Sequence, residues 1–130
     1  MSDTLTKTKA PVAVGDIFEE NWGYNQTNIT YYEVVGVSKT GRAKLHRIHK
    51  TYLGDRYEPN VTVGPIPGAL SERHEPTGYK VVSASNWDGE LWVNMGYNGA
   101  ACRVATAEFI ASMPSDEYPT ATETGAGWGH

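Results

Sequence analysis

The chain has 130 residues, 39% of them hydrophobic, with 14 Gly, 7 Pro and 8 Tyr. That is the length of one domain with a modest core, and a composition favouring turn-rich β structure over helix. The formal charge of −4 sets 11 Lys and Arg against 15 Asp and Glu. Four of those acids (Glu108, Asp116, Glu117, Glu123) and no Lys or Arg follow Val104, so the preceding body is balanced at 11 against 11, which is not the mark of a strongly basic nucleic-acid binder.

No apolar run approaches the roughly 20 residues of a membrane span. The start, Met1 to Lys7, lacks the apolar core of a secretory signal. The one cysteine, Cys102, excludes an internal disulfide framework and suits a reducing cytosol; its neighbours Ala100, Ala101 and Val104 read as the surroundings of a small buried residue.

In chain order, residues 1–11 read as a flexible lead-in, 12–113 as one β-rich domain and 114–130 as a flexible acidic tail on which Trp128 docks back. Val12 to Phe18 is expected as a first strand interrupted at Gly15-Asp16. A polar loop from Asn21 to Asn28 carries Trp22 and Tyr24. Tyr31 to Val37 is almost entirely β-formers, with Tyr31, Glu33, Val35 and Val37 on one face and Tyr32 and Val34 on the other. Ser38-Lys39-Thr40-Gly41 closes it as a turn.

Arg42 to Tyr52 is the hairpin partner. Its apolar points Leu45 and Ile48 have opposite parity, which calls for a bulge, an edge position or a helical turn. Val61 to Val63 restarts a strand that Pro65 and Pro67 should end, because proline cannot donate to a ladder. Ser71 to Pro76 reads as exposed and charged. Tyr79 to Ala84 leads through the turn Asn86-Trp87-Asp88-Gly89 into Glu90 to Tyr97, with Leu91, Val93 and Met95 on one face. Ala100 to Val104 is a last strand.

Thr106 to Met113 is the one helix: Thr106 caps it, Phe109, Ile110 and Met113 form its stripe, and Pro114 stops it. The spacing of five or six short strands predicts an all-β protein, a small antiparallel, strongly bent sheet or an SH3-like barrel with one short C-terminal helix.

Motifs for phosphate loops, dinucleotides, nucleophile elbows and zinc peptidases are absent, and no catalytic, metal or cofactor residue stands out. His46 and His49, three apart on a strand, point to opposite faces and cannot share a metal. Two surfaces remain. The loop residues Trp22, Tyr24, Asn25, Gln26 and Asn28, with Trp87 and Trp92, offer rigid aromatic area for a protein partner; the bland alternative is that they plug the sheet. The basic strand Lys39, Arg42, Lys44, His46, Arg47, His49, Lys50, with Tyr52 and Tyr57, offers phosphate contacts and stacking. Its bland alternative, which carries more weight, is an edge strand protected by charge.

The residues Gly15-Asp16-Ile17-Phe18, Trp22-Gly23-Tyr24-Asn25-Gln26-Thr27-Asn28 and Tyr31-Tyr32-Glu33-Val34-Val35 resemble a family of small uncharacterised proteins encoded by bacteriophages and other bacterial mobile elements. Pro65-Ile66-Pro67-Gly68, Trp87-Asp88-Gly89 and Gly127-Trp128-Gly129-His130 fit it more loosely. The resemblance implies a phage or prophage origin and the bacterial cytoplasm, and brings no activity or catalytic residue with it. The leading expectation is therefore a non-enzymatic binding protein that engages a host or phage macromolecule, first a protein. A nucleic-acid-binding barrel comes second and an enzyme last, with no cofactor and no membrane.

Overall fold

The computed structural model describes residues 12–22, 27–53, 60–84, 90–95 and 99–124. Adjacent residues of a strand point to opposite faces, yet Ile17 and Phe18 are both fully buried. The sheet must therefore be covered on both sides, and its strand order explains how.

Among the described residues, nine strands make one antiparallel sheet: β1 (Ile17–Trp22), β2 (Asn28–Val37), β3 (Ala43–Leu53), β4 (Asn60–Leu70), β5 (Tyr79–Lys80), β6 (Val82–Ala84), β7 (Leu91–Asn94), β8 (Ala100–Ala105) and β9 (Ala121–Thr124). The order is β6-β7-β8-β1-β2-β3-β4-β9, with β5 paired to β3. Only Val81 separates β5, bonded to β3, from β6 at the far edge. Strands β6, β7, β8, β1, β2 and β3 must therefore curl round far enough to bring β6 back near β3, without pairing to it.

Inside that curl lie Phe18, Val34, Ala43, Leu45, Leu91, Val93 and Ala101. The other end curls the opposite way around Ile17, Ile29, Tyr31, Ile48, Val61, Val63 and Ala105. The 11-residue β3 serves both halves. The sheet is strongly bent, as its spacing predicts, but it does not close into a barrel.

Several boundaries differ from expectation for reasons this double curl supplies. Leu45 and Ile48 need no bulge between them: the β2–β3 register runs unbroken from Tyr31↔Ile48 to Val34↔Leu45, and each side chain fills a different core. The bulge is on β2 instead. Val34 faces Leu45 and Gly36 faces Lys44, so Val35 is extra. This flips the parity and brings Val37 against the core of Val34 rather than beside Tyr31 and Glu33.

The prolines of β4 do not end the strand. Lys50 pairs with Pro65 and Ile48 with Leu70, so Ile66-Pro67-Gly68-Ala69 bulges out opposite a single residue of β3. The β4–β9 ladder stops at Val63↔Ala121, so the missing N–H groups fall beyond it. Gly68 Nα–H donates to Glu33 Oε1 at 2.6 Å and pins the bulge over the sheet.

The first strand begins later than Val12. Residues Ala13 to Asp16 form a turn in which Gly15 donates to the Val34 carbonyl at 2.8 Å. Gly15 has φ +101°, and a Cβ there would lie 2.9 Å from that of Ala107. Gly15→Ala is therefore expected to cost about 2 kcal/mol, combining a left-handed penalty with a backbone-level clash. A urea midpoint within error of wild type would contradict this.

Cys102 is exposed, a correction to its expected burial: Ala101 fills the first core at 0% exposure, and Cys102 takes the opposite face of β8, which is open at this point. The helix α1 (Ala107–Ser112) starts as anticipated, with Thr106 Oγ1 accepting from Phe109 Nα–H at 3.0 Å. Phe109 and Ile110 pack on the second core. The segment read as a flexible tail is not one throughout, because β9 adds to β4 there and buries Glu123. The lead-in 1–11, Tyr57, the Asn86–Gly89 turn and Trp128 lie outside the described residues.

Candidate functional site

The β2–β3 ladder ends at Tyr31↔Ile48. Beyond it β3 turns to β4 while β2 stays with β1, as Ile29↔Asn21 shows. The splayed strands leave a cavity of about 440 Å³ lined by Ile29, Thr30 and Tyr31 of β2, by Arg47, Ile48, His49, Lys50 and Tyr52 of β3, and by Ser71, Arg73 and His74 of the following turn. That turn runs back along β3: Ser71 Nα–H donates to the Arg47 carbonyl at 2.9 Å, and Thr77 Nα–H to that of Leu45 at 2.7 Å. The β4 bulge sets this register, and so decides that Arg73 and His74 arrive beside Arg47.

Inside the cavity, Arg47 Nη1 lies 3.1 Å from His74 Nε2, and His74 Nδ1 lies 2.8 Å from Ser71 Oγ. A guanidinium has donors only. His74 Nε2 must therefore accept from it, its proton sits on Nδ1, and Ser71 Oγ is the acceptor. This is the wrong direction for a Ser–His nucleophile, because the nitrogen facing Ser71 has no lone pair to take its proton.

Lost hydration, followed by the positive charges of Arg47, His46, Arg73 and His49, holds the His74 pKa below its ordinary value. Glu72, lowered by its own backbone hydrogen bond and then by His49 at 3.4 Å, is the local counter-charge. Tyr31 and Tyr32 have pKa values raised chiefly by burial, with Glu19 and Glu20 adding to the effect. Both phenols stay neutral donors: Tyr32 Oη donates to Glu20 Oε1 at 2.9 Å.

The basic strand is divided rather than used whole. Lys39 and Arg42 are exposed at the β2–β3 turn, and at about 3.3 Å per residue Arg42 lies roughly 16 Å along the strand from Arg47. Lys44 Nζ sits 5.0 Å over the ring of Tyr79. Lys50 lines the cavity too, but its Nζ donates to the Ile29 carbonyl at 2.6 Å and to Glu123 Oε2 at 2.7 Å, so its charge is already neutralised within the fold. Arg47, His49, Lys50 and Tyr52 of the basic strand line the cavity, joined by Ser71, Arg73 and His74, to which the sequence assigned no role. Arg73-His74 is visible as charge, but its placement depends on the bulge.

His46 and His49 do lie on opposite faces, as their spacing requires: His46 Nδ1 contacts the Arg47 carbonyl at 2.9 Å while His49 meets Glu72. Among the described residues no group of three or more His, Cys, Asp or Glu could hold a metal ion.

Of the aromatic-loop candidates, Tyr24, Asn25, Gln26, Trp87 and the side chain of Trp22 lie outside the described residues. Asn28 pairs with Trp22, two residues along from Glu20↔Thr30 and four from Phe18↔Tyr32, and so shares the Phe18 face. Trp92 alternates with the inward Leu91 and Val93 and lies on the other face. The two do not form one patch. Asn28 Nδ2 and Glu20 Oε2 are buried atoms without a hydrogen-bond partner.

No helix among the described residues is long and apolar enough to cross a membrane. No protein-family model matches the chain, and neither a curated protein nor a solved structure matches it.

Proposed function

We propose that this is a non-enzymatic binding protein whose cleft takes the phosphate backbone of a single nucleic-acid strand. The observation that carries the reading is the convergence of Arg47, His49, Arg73 and His74, from two separate segments, on one cavity. A concave opening between splayed strands admits one flexible chain, whereas a duplex presents a convex rod. Tyr52 lines the same cavity and offers a ring. The resemblance to proteins of phages and mobile elements supports a bacterial cytoplasm as the place where such strands are met. The protein partner that leads the sequence reading draws no comparable geometric support, since its residues are divided between two faces and undescribed segments.

Anisotropy of a labelled oligodeoxythymidylate tests the reading. Removing Arg47 and Arg73 together should weaken binding more than tenfold at low salt and flatten the slope of log K against log salt by about 0.7 per lost contact. Lys39→Ala with Arg42→Ala should change little, because these side chains sit at the far turn. Absence of binding at low salt would end the reading. A single protein recovered from nuclease-treated bacterial lysate, retained after Arg47→Ala, would return the protein-partner expectation to first place.

A further inference from the structure

We infer that the cleft binds one phosphate group together with one proton, and that His74, held between Arg47 and Ser71, is the group that takes the proton. This rests on the cleft being an anion site and names how that site is regulated.

The geometry favours a neutral His74 when no anion is present. Its Nε2 lone pair faces Arg47 Nη1 at 3.1 Å, and its Nδ1–H faces Ser71 Oγ at 2.8 Å. Protonating Nε2 would set an N–H against a guanidinium N–H, two donors with no acceptor between them. A phosphate oxygen entering there accepts from both and converts the repelling pair into two charge-assisted hydrogen bonds.

Binding and protonation therefore reinforce each other, since each removes the cost of the other. The surrounding charges act in the same sense. From β3, Arg47 meets the ring directly while His46 and His49, on opposite faces of the strand, act only through their charge; from its own turn come Arg73, Glu72 and Glu75. Glu72 is engaged by His49 at 3.4 Å, and lost hydration, with the positive groups adding to it, holds the pKa of His74 below its ordinary value. An anion that neutralises them restores it.

The atom balance is a solvent proton added to Nε2 as the phosphate enters, with no bond made or broken in the ligand. Calorimetric titration of the oligodeoxythymidylate, in buffers of different ionisation enthalpy at one pH near 7, reads the proton directly. The expected result is uptake approaching one proton, with affinity rising up to about tenfold for each pH unit lowered. His74→Gln should abolish the uptake and flatten the pH dependence of the affinity, whereas Lys39→Ala, outside the cleft, should leave both as in wild type.

Zero uptake in wild type, or the same uptake in a folded His74→Gln, would overturn the inference. If the oligonucleotide fails to bind at any pH, the nucleic-acid reading falls separately. Inorganic phosphate then decides, through the ¹⁵N shifts of the His74 ring in the unmodified chain. A titration midpoint raised by saturating phosphate sustains the proton-linked site, and an unchanged midpoint removes it.

Discussion

Asp16→Ala is expected to destabilise the protein by about 3–5 kcal/mol, the range for breaking a buried ion pair by removing one partner. Asp16 is 1% exposed and its carboxylate makes three contacts. Oδ2 accepts from Ala13 Nα–H at 3.0 Å and from Arg103 Nη1 at 3.2 Å, and Oδ1 accepts from Ala107 Nα–H at 2.7 Å. One side chain thus closes the turn before β1, neutralises an arginine of β8 and anchors the start of α1.

Alanine leaves two N–H groups and a half-buried guanidinium without this partner, and nothing of similar reach can replace it. Asp16→Asn keeps an acceptor but not the charge, and should lose only part of this. Urea unfolding is the measurement. A loss below 1 kcal/mol for Asp16→Ala would show that water or another acceptor satisfies these groups. The effect should also appear as increased hydrogen exchange in α1 before β2, because the helix N-terminus depends on Asp16 while Tyr31 and Val34 are held by both cores.

Lys50→Ala is the second large effect, again about 3–5 kcal/mol. Glu123, 6% exposed, would keep only the Ile29 Nα–H at 3.0 Å as a partner for its Oε2. Lys50, Glu123 and the two backbone groups of Ile29 form a clasp joining β3, β9 and β2 where the β2–β3 ladder has already ended. Removing the lysine strands a buried carboxylate and opens the second curl of the sheet.

The prediction separates structure from function. A folded Lys50→Ala sample at low temperature should bind the oligonucleotide nearly as well as wild type, whereas Arg47→Ala should not. If Lys50→Ala instead leaves the urea midpoint unchanged and abolishes binding, the lysine is a ligand-facing cation and the assignment of roles is reversed. The double change Lys50→Met with Glu123→Leu should recover much of the lost stability, since no unpaired charge remains.

These two positions also show how much of the molecule can be read along the chain. Asp16 sits in a recognisable Gly-Asp turn, yet two of its partners lie 87 and 91 residues away, beyond any local pattern. Lys50 reads as one of a basic row. Its partner Glu123 lies in a Ser/Thr/Pro-rich segment that resembles disorder by composition, because a four-residue strand such as β9 leaves almost no periodic signal. Leu45 and Ile48 carried the information that both faces are buried, but opposite parity has local explanations as well, and a single strand cannot distinguish them.

What the sequence by itself determined is the β class, the turn at Gly41, the capped helix at Thr106 and the alternation of Leu91 and Val93. Each follows from steric preference or period, which act between near neighbours. The tertiary structure alone decided that the sheet curls twice without closing, that Pro65 and Pro67 lie within a strand, and which basic residues share a cavity. The reason is register. A four-residue bulge in β4 sets where Ser71 to His74 meets β3, and the ladder's end at Tyr31↔Ile48 opens the space they face. Charge can be counted in a sequence, but only the ladder places Arg73 and His74 next to Arg47 and turns Lys50 inward.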